Sequence, residues 1–260
     1  MIIDTHVHLS DIVFDKDRDF VVDKMYKLKI SSFFEIACEI CYWDKAVEIS
    51  KKYNAFLSFG IHPTNINNAT KNDYIKLESL ILKNKKCIAV GEIGLDYHYK
   101  NTDSYNQKKN FVKQLEIAFK HNKPVIIHCR DAYDDLIDIL KHYSKIKGVV
   151  HCFSGTINQA EMLLNFGLLL GICGPITYKN TDILKKIVVD TSINNLLIET
   201  DSPYLPTQNC RGRRNEPSNI VKIVEKISEL KKIKFDEVAE NTKKNAIKLF
   251  NIFNNTESGT

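Results

Sequence analysis

Two histidines two residues apart, in Asp4-Thr5-His6-Val7-His8, are the first residues of this chain that could do chemistry. A strand alternates its faces, so His6 and His8 point one way while Thr5 and Val7 point the other. Two imidazoles side by side can hold one divalent metal. The pair alone says little, because surface histidines share that spacing by chance. Five more metal-type residues recur just after apolar runs: His62 in GIHP, Glu92 in VGEIGLD, His128 in VIIHCR, His151 in VVHCFSG and Asp201 in LIETDSP. Gathered at one place, such polar groups carry a desolvation penalty that a metal or water removes. The repetition therefore reads as a metal centre. The other three histidines sit differently. His121 and His142 end helical stretches, where a cation complements the helix dipole, and His98 lies in a Tyr-His-Tyr loop.

The elements that must position these side chains are short β-like runs alternating with longer amphipathic stretches. Eight strands are predicted: Ile2–Leu9, Ser32–Cys38, Phe56–His62, Cys87–Leu95, Pro124–Arg130, Gly148–Phe153, Gly167–Cys173 and Leu196–Asp201. Phe111, Leu115, Ala118 and Phe119 share a helical face, as do Leu136, Ile139, Leu140 and Tyr143, and again Ile220, Ile223, Val224 and Ile227. A last helix is expected from Phe235 to Phe253, burying Val238, Ala246, Leu249, Phe250 and Phe253. Strands alternating with helices imply parallel β-α units, and eight of them close into an α/β fold, the TIM (β/α)8 barrel, with chemistry at the C-terminal strand ends. An open doubly wound sheet is the alternative. It calls for a Gly-rich phosphate turn, and Gly91-Glu92-Ile93-Gly94 lacks the spacing. One domain is expected over residues 1–253, with residues 254–260 as a polar C-terminal tail.

Composition sets outer bounds. The 260 residues, 43% hydrophobic and 27% charged, suit one domain with a sizeable core. A net charge of +5 tolerates an anionic substrate without identifying one. Seven cysteines scattered through apolar segments argue against a disulfide framework and fit a reducing cytoplasm. Cys38 and Cys41 form a single C-x-x-C, read as two buried thiols. Cys129 and Cys152 alternate with the histidines and are expected to face the surrounding helices. Asp4 and His6 interrupt the apolar start, so no signal peptide is expected. No apolar stretch is long enough to span a membrane.

The segments DTHVHL, GIHP, GEIGLDY, PVIIHCRDA, HCFSG, ETDSPYL and RGRRNEP, then a helix containing AIKLF, run from Asp4 to about Phe250. In this order they resemble the TatD family of metal-dependent hydrolases, among the amidohydrolase-like barrels. Related amidohydrolases often bridge their metals with a modified lysine on strand four, and Glu92 stands in that region here. The resemblance implies a one- or two-metal centre that hydrolyses phosphodiester bonds in DNA. Carried over by motif, the ligands are His6, His8, Glu92, His128, His151 and Asp201. Glu92 would bridge two divalent ions, with His6, His8 and Asp201 completing one site and His128 and His151 the other. Mixed imidazole and carboxylate ligation admits Zn2+, Mn2+ or Mg2+.

The charge left after Glu92 and Asp201 partly neutralise two divalent ions suits an anionic phosphate better than a neutral ester. Asp201 is placed to orient the attacking water or take its proton, as well as to bind metal. Arg130 lies two residues beyond His128, on the same strand face, and could clamp phosphate oxygens or pair with Asp131 or Asp134. His62 could donate to the scissile phosphate. Arg211, Arg213 and Arg214 lie in the loop after strand eight and could track a nucleic-acid backbone, Arg211 foremost. Glu216 is expected to order that loop by pairing with an arginine. Tyr97 and Tyr204 lie near the rim, where they could stack on bases. A rim of separate loops makes a pocket more readily than a groove, which favours exonuclease action. Two other readings stand beside this deoxyribonuclease: hydrolysis of a small-molecule ester or amide or of aminoacyl-tRNA, and a non-catalytic, metal-stabilised nucleic-acid-binding module.

Overall fold

The β-branched and aromatic runs form strands β1 (Ile2–Val7), β2 (Ile30–Ala37), β3 (Phe56–Phe59), β4 (Cys87–Asp96), β5 (Val125–Arg130), β6 (Gly148–Val150), β7 (Leu168–Ile172) and β8 (Leu196–Ile198). The computed structural model describes residues 1–144 and 146–253, so the predicted tail lies outside the described residues. The strands make one parallel sheet in the order β1 to β8. Its two edges meet: Val7 bridges Ser202, the Asp201 amide donates to His6 O at 2.9 Å, and the His8 amide donates to Ser202 O at 2.8 Å. This is the expected barrel. Around it lie α1 (Arg18–Lys27), α2 (Trp43–Tyr53), α3 (Lys71–Lys83), α4 (Ser104–Lys120), α5 (Tyr133–Leu140), α6 (Ile157–Asn165), α7 (Asp182–Asp190), α8 (Ile220–Lys231) and α9 (Phe235–Phe250).

Alternation sorts the strand side chains into two layers. Val125, Ile127 and Cys129 of β5 face the helices, with Val150, Leu170 and Ile198 of later strands. Ile126, Val149 and Leu197 point into the barrel, in one cluster with Ile3, Phe34 and Ile36. Phe250 of α9 closes this inner layer, its ring edge-on to Phe34 at 5.0 Å. The inward columns lead straight to the chemistry: Ile126 is followed on its face by His128 and Arg130, and Val149 by His151.

Two of the columns change phase at β-bulges. The β4 register jumps between Gly91 and Ile93, and the β1 register between Asp4 and Val7. Val90, Ile93 and Leu95 all pack against the helices. Strict alternation from Val90 would send Glu92 outward too. The extra residue turns Glu92 inward instead. Only a glycine fits before it, because a Cβ on Gly91 would lie 2.6 Å from Ile126 Cβ.

Several predicted boundaries shift. Glu92 lies within β4, not at its end, while His8, His62, His151 and Asp201 lie beyond the last residues of their strands. The final helix stops at Phe250, where Asn251 takes a left-handed φ of 50°. Phe253 is therefore outside it and half exposed, its ring edge-on to Phe56. Phe119 is exposed rather than buried and stacks on Tyr143.

Candidate metal centre

Four donor atoms from three strands converge at the barrel mouth. His6 Nε2 and His8 Nε2 are 3.1 Å apart. Glu92 Oε2 lies 3.4 Å from the first and 3.8 Å from the second, and Asp201 Oδ1 lies 3.8 and 3.3 Å from them. A tetrahedral ion with ligands at about 2.1 Å has edges of about 3.4 Å. These five separations bracket that edge, and His6, His8 and Glu92 form a group that could hold a divalent ion, with Asp201 beside both imidazoles.

The other oxygen of Glu92 gathers a second set. Oε1 lies 2.7 Å from His128 Nδ1, 3.7 Å from His62 Nε2 and 3.9 Å from His151 Nε2. His151 Nε2 is also 3.6 Å from Asp201 Oδ1. Thus each carboxylate oxygen of Glu92 faces its own group of imidazoles. The six expected ligand positions meet here, and His62, expected as a substrate contact, lies beside them.

Where a ring nitrogen on the far side is hydrogen-bonded, that bond orients the ring. His8 Nδ1 donates to Ile36 O at 2.8 Å, which leaves Nε2 as the nitrogen that faces the site. His151 Nδ1 lies 2.9 Å from Glu199 Oε1, although off the angle of a good hydrogen bond. His6 Nδ1 is buried without a partner among the described residues. His62 differs: its Nδ1 lies 2.7 Å from the Thr64 hydroxyl and accepts from the Thr64 amide at 3.3 Å, a pairing that favours the proton on Nε2. In that tautomer His62 presents an Nε2–H donor to the cavity, although with Glu92 and His128 it also forms a group that could hold a metal.

The charge balance follows from this crowding. Burial opposes charge on Glu92, but His151, His128 and His6 together hold it well below the usual carboxylate range. Burial also opposes charge on His151, yet Glu199, Asp201 and Glu92 lift it to about 9. Burial, with the charge of His128, lowers His62 to about 3, keeping it neutral.

Three supporting carboxylates went unnoticed in the sequence. Asp96 Oδ2 lies 3.0 Å from His128 Nε2, so both nitrogens of that ring face carboxylates. Its amide donates to Gln107 Oε1 at 2.7 Å, tying β4 to α4. Glu199 backs His151 and accepts from the Cys152 amide at 2.6 Å. Asp4, lifted by burial to about 8, accepts from the Thr200 amide and hydroxyl at 2.9 and 2.6 Å and steadies the approach to Asp201. Glu199 shares the Asp201 face two residues earlier, a spacing that could have revealed it.

A family profile described as TatD related DNase matches residues 3–251. The chain belongs to the TatD family. The metal-dependent hydrolase YabD of Bacillus subtilis is 34% identical over 255 residues, covering 97% of this chain and 100% of that protein. A TATDN1 homolog of Enterocytozoon bieneusi is 34% identical over 250 residues, covering 88% and 89%. Among solved structures, the TatD homolog YJJV of Escherichia coli K12 superposes with a TM-score of 0.92 at 28% identity, covering 96% of this chain and 98% of that one. This TatD chain is a metal-dependent hydrolase.

The arginine loop of the TatD chain divides by position. Arg214 is structural: it donates to Asp17 through two bonds of 2.8 and 2.6 Å and to Val13 O at 2.7 Å. That corrects the expectation that it tracks a substrate. Arg213 donates to Asn209 O within its own loop. Arg211 stacks on the Tyr178 ring at 4.6 Å and is not part of the cavity wall. Glu216 pairs with Arg214, as expected, and also with Lys24 at 2.7 Å. Buried Asn215 clamps the loop to Thr200 O and Tyr204 O at 2.8 and 2.7 Å.

Two cysteine expectations also change. Cys152 is half-buried, lines the cavity and forms a disulfide with Cys173, their Cα atoms 5.4 Å apart. A left-handed φ of 42° at Cys152 breaks the alternation beyond β6, and pairing of β6 with β7 brings Cys173 close. Cys129 is buried towards the helices, as expected. Cys38 is buried and Cys41 exposed, both as free thiols. His98 sits 3.2 Å from Asp131, and His121 sits 2.6 Å from Glu78, both away from the centre. Among the described residues, no helix is long and apolar enough to cross a membrane.

Proposed function

We propose that this protein hydrolyses phosphodiester bonds of DNA, removing nucleotides from a chain end, with two divalent ions in the centre. One observation carries the reading: the two oxygens of Glu92 face two separate donor sets. When bound, the ions supply Lewis acidity and neutralise charge at the reacting phosphate. Glu92 holds the two sets at a common spacing. Asp201, at the edge of both, accepts the proton of the attacking water. His62 offers its Nε2–H to a phosphate oxygen. Arg130, exposed on the cavity wall, offers a guanidinium fork to the same group. The family's description as a DNase supports the choice of substrate.

End-labelled single- and double-stranded DNA, followed over time with and without a chelator, tests the proposal. Mononucleotides that disappear on chelation are expected. Cleavage of a small ester with intact DNA would replace this reading by a small-molecule hydrolase, and tight DNA binding without turnover by a binding module.

A further inference from the structure

The cavity over the metal centre, about 1290 Å³, has two unlike walls. The loops after β1, β2 and β5 bring Asp11, Glu39 and Asp131, and the first turn of α5 adds Asp134 and Asp135, with Arg130 the one arginine or lysine in the described lining. Beyond the candidate ligand Asp201, the wall built after β7 and β8 consists of Pro175, Thr181, Ile183, Leu184, Tyr204 and Leu205, and it meets the acidic wall where the Tyr204 hydroxyl donates to Asp11 at 3.1 Å. Three of these are large apolar side chains left open to water: Ile183 at 60%, Tyr204 at 48% and Leu205 at 37% exposure.

This display is built into the fold. Leu205 has a left-handed φ of 46°, a conformation a leucine adopts at a cost. Its carbonyl accepts from the Asn215 side chain at 3.4 Å. It also packs so closely on Gly174 that a Cβ there would lie 2.0 Å from it. The two loops are laced together behind the wall: Tyr178 Oη donates to Pro206 O at 2.8 Å, and the Gln208 amide donates to Thr177 Oγ1 at 2.8 Å. The wall continues directly into the metal centre, because the Tyr204 ring lies edge-on to His8 at 5.7 Å.

We infer that the wall formed by Ile183, Leu184, Tyr204 and Leu205 is a nucleobase subsite, which seats the uncharged, planar base of the nucleotide whose phosphate reaches the metal centre. The inference rests on the phosphodiesterase reading and adds where the base goes. An apolar, half-open surface beside an aromatic ring gains from covering a planar face. Apart from Arg130, which serves the reacting phosphate, the acidic wall repels a phosphate chain. The guanidinium of Arg211, stacked on Tyr178 behind this wall, adds positive charge on the same side.

The test is direct binding to the metal-loaded protein. Titration calorimetry compares 2′-deoxyadenosine 5′-monophosphate with 2-deoxyribose 5-phosphate, which lacks the base. Wild type should prefer the nucleotide by at least about tenfold, the scale of one stacked base. The double variant Leu205→Asn with Ile183→Gln removes the apolar faces. Asparagine accepts a left-handed backbone and glutamine suits an exposed helical turn, so folding and metal content should not change. The Tyr204 ring remains in this variant, so the preference should shrink by at least about threefold through the lost apolar cover alone. Equal affinity of wild type for both ligands, or an undiminished preference in the variant, would overturn the subsite. The proposed activity is scored separately on DNA: a nucleotide preference in a protein that cleaves no phosphodiester keeps the subsite and removes the nuclease.

Discussion

His128 Nδ1 lies 2.7 Å from Glu92 Oε1, on the opposite carboxylate oxygen from the one that faces His6 and His8. Glu92 is thus the residue through which the two donor sets share charge. Glu92→Gln keeps the shape and removes that charge. Elemental analysis should show fewer ions per chain, and turnover should fall by at least about a hundredfold, the upper range for losing even a supporting partner of a ligand. The barrel should stay folded, because the site lies at the strand ends rather than in the packed layers. Full metal content with unchanged turnover would remove Glu92 from its bridging role.

Asp201 is held by backbone on both sides: its amide donates to His6 O at 2.9 Å, and its carbonyl accepts from the Tyr204 amide at 2.7 Å. Asp201→Asn should leave this frame intact while removing the basic oxygen. Oligonucleotide binding should persist as kcat falls by about a hundredfold, the lower end of a general-base contribution. Binding, kinetics and metal analysis on one preparation separate these effects. Loss of metal together with binding would reduce Asp201 to a ligand alone.

Metal binding should depend on pH in a defined direction. Burial lowers His151, but Glu199, Asp201 and Glu92 outweigh it and lift the ring to about 9. His8 is likewise raised: burial opposes this, while Cys38 and Asp201 favour its charged form. Below their raised pKa values these rings hold protons that an incoming ion must displace. Affinity should therefore rise with pH between 6.5 and 8.5, by about tenfold per pH unit for each displaced proton. Metal titrations at several pH values measure the slope, and a flat profile would mean that the rings are already neutral.

The arginines should separate by experiment. Arg214→Ala breaks two bonds to Asp17 and exposes the Phe14 ring that its guanidinium covers at 4.5 Å. Denaturant unfolding should show a loss of about 1–3 kcal/mol with kcat/KM of the folded protein unchanged. Arg130→Ala should leave stability and metal content alone. It should weaken DNA binding and lower the salt dependence by about one phosphate contact. The reverse pattern would exchange their roles.

Much of this centre was legible because period-two alternation carries forward from an apolar run. Ile126 predicts the inward face of His128, and Val149 predicts that of His151. Glu92 was found by its motif but not by its phase, since a bulge is a local change of backbone path with no period of its own. The disulfide followed the same logic: a left-handed residue at Cys152 undid the alternation. Arg214 was misread because its partner, Asp17, is 197 residues away in sequence and only the closed barrel brings the two together. Asp96 carries no such signal, because an acid that steadies a ligand from beyond a bulge keeps no spacing of its own.

The central claim, two ions joined by Glu92 acting on a DNA phosphodiester, is tested most directly by titrating the metal-free protein with Mn2+ while following release of mononucleotides from end-labelled single-stranded DNA. Hydrolysis should climb until two equivalents are bound and then level off, and the same titration of Glu92→Gln should stay near background. A plateau at one equivalent, or intact DNA at every metal concentration, would contradict the account.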